Sequence, residues 1–344
     1  MTQGTDCKNI LLGIENPLLD LVATVDSSFL KKYNLKENDA ILASEQHIPI
    51  YPELAALKDT QYIPGGAAQN SLRGAQKFLP AGSTAYLGCI GKDTFGETLT
   101  KIANKEGVKT AYMVHPSVPT GTCAVLINGR HRSLVANLAA ANEFKETHLE
   151  KQEIQDLIKQ AKYYYIGGFF LTVSPASIMM ICKHAAEHNK IVTMNLSAPF
   201  ISMAFKQPLT DLLEYADYVF GNETEARTLA ESFGFEETQD VVSIAKRIQK
   251  MSKKTNKYRT VVITQGSEET VVATVDGIQT FKVNAISASS IVDTNGAGDA
   301  FVGGFLAQLI MEKSIEKCVQ CGHYLASEVI QKSGAVFPDN VTFE

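Results

Sequence analysis

Between Ser83 and Thr264 the sequence alternates short, continuously apolar runs with longer stretches of helical period, and that rhythm admits few folds. Thr84–Ile90, Tyr163–Ile166, Ile191–Leu196, Tyr218–Gly221 and Val261–Thr264 read as strands, whereas Phe95–Glu106, Lys151–Ala161, Ala176–His188, Glu223–Ser232 and Val241–Met251 read as helices. Strands that are apolar on both faces need cover on both, and a helix after each strand returns the chain for a parallel neighbour. The expected fold class is α/β, a doubly wound, mostly parallel sheet flanked by helices, with Lys8–Gly13 as its first strand.

Elsewhere the rhythm breaks. Leu19–Val25 follows the first strand with no helix between, and Thr122–Ile127 and Arg132–Ala136 flank Asn128-Gly129, a hairpin signal. These segments are best placed in one small sheet assembled from separated stretches, as a lid would be. Residues 27–64, weakly periodic and carrying Pro49, Pro52 and Pro64, would link its strands. The expected division is a large domain of residues 1–17, 66–118 and 142–344 and a lid of residues 18–65 and 119–141. Val271–Val275 and Ile278–Val283 read as a hairpin across Asp276-Gly277, and two helices close the chain.

Composition narrows the function classes. With 344 residues, two domains are expected, and 45% hydrophobic residues supply a core. A net charge of −5 argues against a non-specific nucleic-acid binder, which needs a basic footprint. The densest basic group, Lys253-Lys254 with Lys257 and Arg259, reads as a solvated loop. Tyr163–Cys182 is long and apolar enough to raise a membrane span, but Gly167-Gly168 and Ser174-Pro175 divide it into strand, loop and helix. The amino terminus has no apolar signal segment and the six cysteines are scattered, so a reduced cytoplasmic setting is expected, the nucleus remaining open. Cys318-x-x-Cys321 has no second pair and reads as two core residues.

The chemistry concentrates at Asp293–Phe305, Asp-Thr-Asn-Gly-Ala-Gly-Asp-Ala-Phe-Val-Gly-Gly-Phe, a loop that turns directly into an apolar helix. Gly296, Ala297 and Gly298 can aim successive N–H groups at one point, and the helix dipole adds about half a positive charge there, which suits a phosphate. Asp299 is either a dipole partner in the first turn or a base that takes a proton from a hydroxyl beside that anion hole. The loop lacks the third glycine of a dinucleotide fingerprint, and Gly91-Lys92-Asp93 is no Walker loop. Two further candidates stand apart. Asp20 leaves the carboxyl end of the first strand, the usual ligand edge of an open sheet. Gly65-Gly66 opens a helix with Asn70 one turn in, a ligand contact or an ordinary helix start.

The Asp-Thr-x-Gly-Ala-Gly-Asp-x-Phe string resembles the signature of the ribokinase (PfkB) family of sugar and nucleoside kinases. The likeness extends through Gly121-Thr122-Cys123, Arg132-Ser133-Leu134, Ala136 to Asn142, Gly168 to Pro175, Asn195 to Phe200 and Gly221 to Ala226. It implies a ribokinase-like fold, and a catalyst that uses ATP with Mg²⁺ to phosphorylate the 5′-hydroxyl of adenosine. On that resemblance Asp299 is the base, with Gly296, Ala297, Gly298 and Arg132 around the transferring phosphoryl group. Asp20, Gly65, Gly66 and Asn70 would hold the ribose, and Asn16 would lie near the base. Leu18, Leu42, Cys123, Leu134 and Phe169 would form an apolar purine slot.

For the nucleotide, the resemblance implies Thr264, Gly266, Asn295 and His323, with Asn222-x-x-Glu225 organising Mg²⁺ and its waters through Glu225. Without the resemblance, Arg132 reads as a solvated hairpin residue and Asn222-x-x-Glu225 as a helix cap. Ala67-Ala68 departs from the Ser-Thr that many members carry. No nucleic-acid or membrane partner is expected, and a monomer is. A kinase for a sugar or another nucleoside, and a nucleoside-binding protein without activity, are the rival readings.

Overall fold

A computed structural model describes residues 8–37, 40–129 and 131–343. Residues 1–7, on which much of the reading of the amino terminus rests, lie outside the described residues, as does Cys7.

The apolar runs form one nine-stranded sheet, in the order Gly277–Phe281, Glu268–Thr274, Thr260–Gln265, Tyr218–Asn222, Ile191–Asn195, Tyr163–Gly167, Leu11–Ile14, Thr84–Leu87, Val108–Thr110. It is parallel except at one edge, where the last three strands in sequence meander antiparallel. Both faces are covered, as continuous apolarity requires. Tyr164, Val219 and Val261 face a layer that includes the helices Pro175–Glu187 and Val241–Gln249. Leu11, Tyr165 and Phe220 face the opposite layer, with Ala67–Gln76, Ala297–Ile310 and Ile315–Val329. The chain leaves Leu11–Ile14 in the middle of the sheet and builds outward on either side, the arrangement that opens a ligand crevice at the strands' carboxyl ends.

Interruptions of the rhythm form a second, five-stranded sheet, ordered Ala40–Leu42, His131–Asn137, Thr122–Asn128, Leu18–Thr24, Gln61–Gly65. The hairpin around Asn128-Gly129 is antiparallel, with His131 opposite Asn128. Side chains alternate across this sheet. Leu19, Leu21, Ala23, Ala124, Leu126 and Val135 pack with Leu30, Ile50 and Leu54 on one face. Leu18, Val22, Cys123, Val125 and Leu134 occupy the other.

Several expectations need correction. Thr84–Ile90 is two strands: its partner ends at Ile14 opposite Leu87, and Cys89–Gly91 then pairs separately with Met113–His115. The strands Val108–Thr110 and Met113–His115 and the helices Pro199–Ala204 and Lys206–Leu213 were not anticipated, being short. The basic group is not wholly solvated. Arg259 is 1% exposed and donates to the carbonyls of Ile248, Met251, Leu213 and Ser252. Lys253 reaches Asp217 at 2.6 Å, whereas Lys254 stays at the surface. Tyr163–Cys182 is strand, turn and helix, and among the described residues no helix is long and apolar enough to cross a membrane. Cys318 and Cys321 are buried in helix packing.

Candidate active site

The helix Ala297–Ile310 starts at Gly296, whose φ of 77° is left-handed, and makes no side-chain cap bond. Its first N–H groups therefore lack the usual acceptor side chain. Asp299 sits in this first turn. Gly303, one turn on, lets the helix lie against Ala67–Gln76: a Cβ there would come within 2.6 Å of the Ser71 carbonyl oxygen. That approach brings together residues far apart in sequence, and Asn70 Nδ2 donates to Asp299 Oδ2 at 3.0 Å. Arg73 Nη1 in turn donates to Asn70 Oδ1 at 2.8 Å, which fixes the amide so that its NH₂ faces the carboxylate. Arg73 is itself held by Glu106 and by the Pro64 carbonyl.

Asp299 opens to a cavity but is walled by protein, and burial pushes its pKa up to about 6 against the lowering effects of Asn70 and Arg73. Such a carboxyl can accept a proton near neutral pH. The cavity, about 110 Å³, is lined by Gly298 and Asp299 together with Asn222, Glu225 and Thr264. Asn222 and Glu225 form a reciprocal helix cap, Asn222 N donating to Glu225 Oε2 at 3.0 Å and Glu225 N to Asn222 Oδ1 at 2.9 Å. The cap and the cavity wall are thus the same residues. Burial raises Glu225's pKa.

Strand alternation places the lid candidates on one face. Leu18, Asp20, Cys123, Arg132 and Leu134 share a parity, with Asp20 opposite Cys123 and Arg132 opposite Ile127 in the ladder. Burial pushes Asp20 up to about 7, with Arg132 and Arg73 opposing and the Asp299 charge adding to it. Its carboxylate lies directly over Gly65, where a Cβ would come within 2.1 Å of Oδ1. Gly66, at φ 91°, passes so close to the Asn16 carbonyl oxygen that a Cβ would stand 2.3 Å from it. Asn16 is buried, and its Oδ1 has no hydrogen-bond partner among the described residues. Arg132 forms an ion pair with Asp293, whose Oδ2 also accepts from Gly334 N at 2.8 Å.

Not every candidate converges. Leu42 is 66% exposed at the edge of the small sheet. Phe169 packs on the large sheet's layer, not the lid's, with the Phe200 ring 6.0 Å away. Gly266, Asn295 and His323 do not line the cavity; His323 Nε2 is within 2.8 Å of Thr270 Oγ1. Sequence reasoning missed Arg73 and Glu15, which nothing local marks; Phe200 lies within the quoted Asn195 to Phe200 run but is given no role there. Among the described residues no group of three or more His, Cys, Asp or Glu could hold a metal ion.

Residues 28–342 match the pfkB family of carbohydrate kinases. The chain is 50% identical over 345 residues to adenosine kinase 2 of Arabidopsis thaliana, covering 100% of both. In fold it is similar to the crystal structure of Anopheles gambiae adenosine kinase in complex with P1,P4-di(adenosine-5) tetraphosphate, with a TM-score of 0.89 and 42% identity over 98% of this chain and 99% of that one. Adenosine kinase from Schistosoma mansoni in complex with adenosine and AMP superposes with a TM-score of 0.85 at 31% identity, over 96% of this chain and 98% of that one.

Proposed function

The chain belongs to the pfkB family of carbohydrate kinases, and we infer from that membership together with its full-length similarity to adenosine kinases that it transfers the terminal phosphoryl group of ATP to the 5′-hydroxyl of adenosine, giving AMP and ADP. One observation carries the assignment of the site: a carboxyl, Asp299, at the amino end of a helix, 3.0 Å from an oriented amide and opening to a cavity. Asp299 takes the hydroxyl proton as the oxygen attacks, and the N–H groups of Gly296, Ala297 and Gly298 stabilise the phosphoryl oxygens. Asp20 and Asn70 hold the ribose hydroxyls, for which a carboxylate is apt because it accepts from two adjacent donors. The apolar face formed by Leu18, Cys123 and Leu134 receives the purine. Leaving Asp293, Arg132 moves to the phosphates as the lid closes and water is excluded.

The donor set around Glu225 suits Mg²⁺ held chiefly by phosphates and water. Both carboxylate oxygens are engaged by Asn222, at 2.9 and 3.0 Å, so further contacts through water fit better than a direct cage. The ion supplies neutralisation of phosphate charge when bound. Glu225 and Asn222 orient its water shell.

The test is AMP and ADP formation from adenosine and Mg·ATP, with Asp299→Ala as control. Equal yields of AMP and ADP, lost in the variant, are expected. ADP formed only with ribose or another nucleoside would move the substrate, and no turnover with any acceptor would remove the catalytic reading.

A further inference from the structure

We infer that Glu15 is a positioning residue of this site: through the Ala68 N–H it holds the amino end of the helix Ala67–Gln76, and with it Asn70, against Asp299. The helix needs such support. Its N-cap is Gly66, which has no side chain to offer, and Ala67 and Ala68 supply no acceptor for the first N–H groups. Glu15, at the carboxyl end of the central strand, provides it, with Oε2 accepting from Ala68 N at 2.8 Å across 53 residues of chain. The carboxyl is 1% exposed in residue terms and its Oε1 lies against Gly167, where a Cβ would come within 1.8 Å. The buried acid thus meets the helix end through Oε2 and packs on Gly167 through Oε1, which has no hydrogen-bond partner among the described residues. Two residues further along, Asn70 meets the proposed base.

Protonation gives this cap a second property. Burial pushes Glu15 up to about 8, with the Asp299 charge adding to the rise and the Ala68 and Phe169 amides opposing it. While protonated, the cap accepts from Ala68 without placing a second negative charge beside Asp299. The other titratable groups that face it are Tyr86 from Thr84–Leu87 and Tyr165 from Tyr163–Gly167, both with pKa values raised by burial. Ionisation of Glu15 at higher pH sets a like charge next to the base and the incoming phosphates, so kcat/KM falls in alkali.

The inference rests on the kinase reading above, and its test separates the two. AMP formation is followed from pH 6 to 9.5 for the natural protein, Glu15→Gln and Glu15→Ala, with amide hydrogen exchange across residues 67–76. Removing the cap in Glu15→Ala is expected to raise KM for adenosine about tenfold, with a smaller loss in kcat, and to speed exchange at Ala68. Glu15→Gln, which retains an acceptor and cannot titrate, is expected to restore KM to within about threefold and to abolish the alkaline fall. A KM and an exchange rate unchanged in Glu15→Ala, a glutamine variant as impaired as the alanine one, or an alkaline fall that persists in Glu15→Gln would each overturn the inference. If the natural protein forms no AMP, the kinase reading fails by itself, and the exchange at Ala68 in Glu15→Ala still decides the cap.

Discussion

The two edges of the main sheet handle buried charge in opposite ways. At the amino edge, Asp217 accepts from Lys253 at 2.6 Å and from Val192 N at 2.9 Å, and Arg259 spends both of its terminal nitrogens on carbonyls that end neighbouring helices and loops. At the carboxyl edge, Glu15, Asp20, Asp299 and Glu225 are four carboxyls with no buried cation for each, and burial raises the pKa of every one. A paired buried charge contributes to holding the fold, and losing one partner is costly. An under-paired cluster works against the fold and persists where a ligand completes it. The same sheet thus carries a stabilising end and a reactive end.

Exchanging a residue at each edge tests that division most directly. Asp299→Asn is expected to lower kcat by about 10²–10⁴-fold while leaving the unfolding midpoint equal or higher, since the amide bears no buried charge. Loss of stability together with activity, measured by thermal unfolding beside AMP formation, would make Asp299 a structural residue. Asp217→Ala reverses the pattern: it strands Lys253 and is expected to cost about 3–5 kcal/mol in urea unfolding while the folded fraction keeps its KM for adenosine. Arg132→Ala sits between the edges. Its loss should reduce kcat on the order of a hundredfold if Arg132 acts on the transferring phosphoryl group as proposed, and should also lower the urea midpoint, because it leaves the buried Asp293 carboxylate without its guanidinium partner.

The remaining test is a slope with pH. Asp20 and Glu15 rise in the folded chain to about 7 and about 8 from ordinary values of 3.8 and 4.5. Between those limits the folded state binds more protons than the unfolded state, so stability is greatest below about pH 4 as far as these groups are concerned and declines as pH rises towards 8. Urea midpoints at pH 5, 6, 7 and 8 should fall along the series without ligand, and less steeply in Asp20→Asn. Identical slopes in the two proteins would show that Asp20 ionises freely.

The parallel sheet and the separate small sheet were legible because burial on two faces and burial on one leave different periods in a sequence. Leu18, Asp20, Cys123, Arg132 and Leu134 were named through the family resemblance, and their shared face emerged only from the strand pairing. Arg73 and Glu15 were not legible. Their partners, Asn70 and Ala68, are close in chain to helix features that look ordinary, and their meaning depends on a helix packed against Asp299 from 229 residues away. Arg259 was misread for the same reason: charge density in sequence suggested water, and the acceptors that bury it are helix ends formed by other segments. Asn222 and Glu225 were read as either cap or site, and the geometry makes them a cap that faces the cavity.

The strand Leu18–Thr24 lies between Gln61–Gly65 and Thr122–Asn128. One neighbour is made soon after it and the other about a hundred residues later, as the pairing of Leu19 with Thr122 shows. On a ribosome adding about 5–20 residues per second, that strand waits some 5–20 seconds with one edge open. The central strand Leu11–Ile14 waits longer still, for Tyr163–Gly167. During that interval the nascent chain is a half-built sheet with apolar edges, and the rate at which a cell obtains usable protein depends on how well those edges are shielded before the second half emerges.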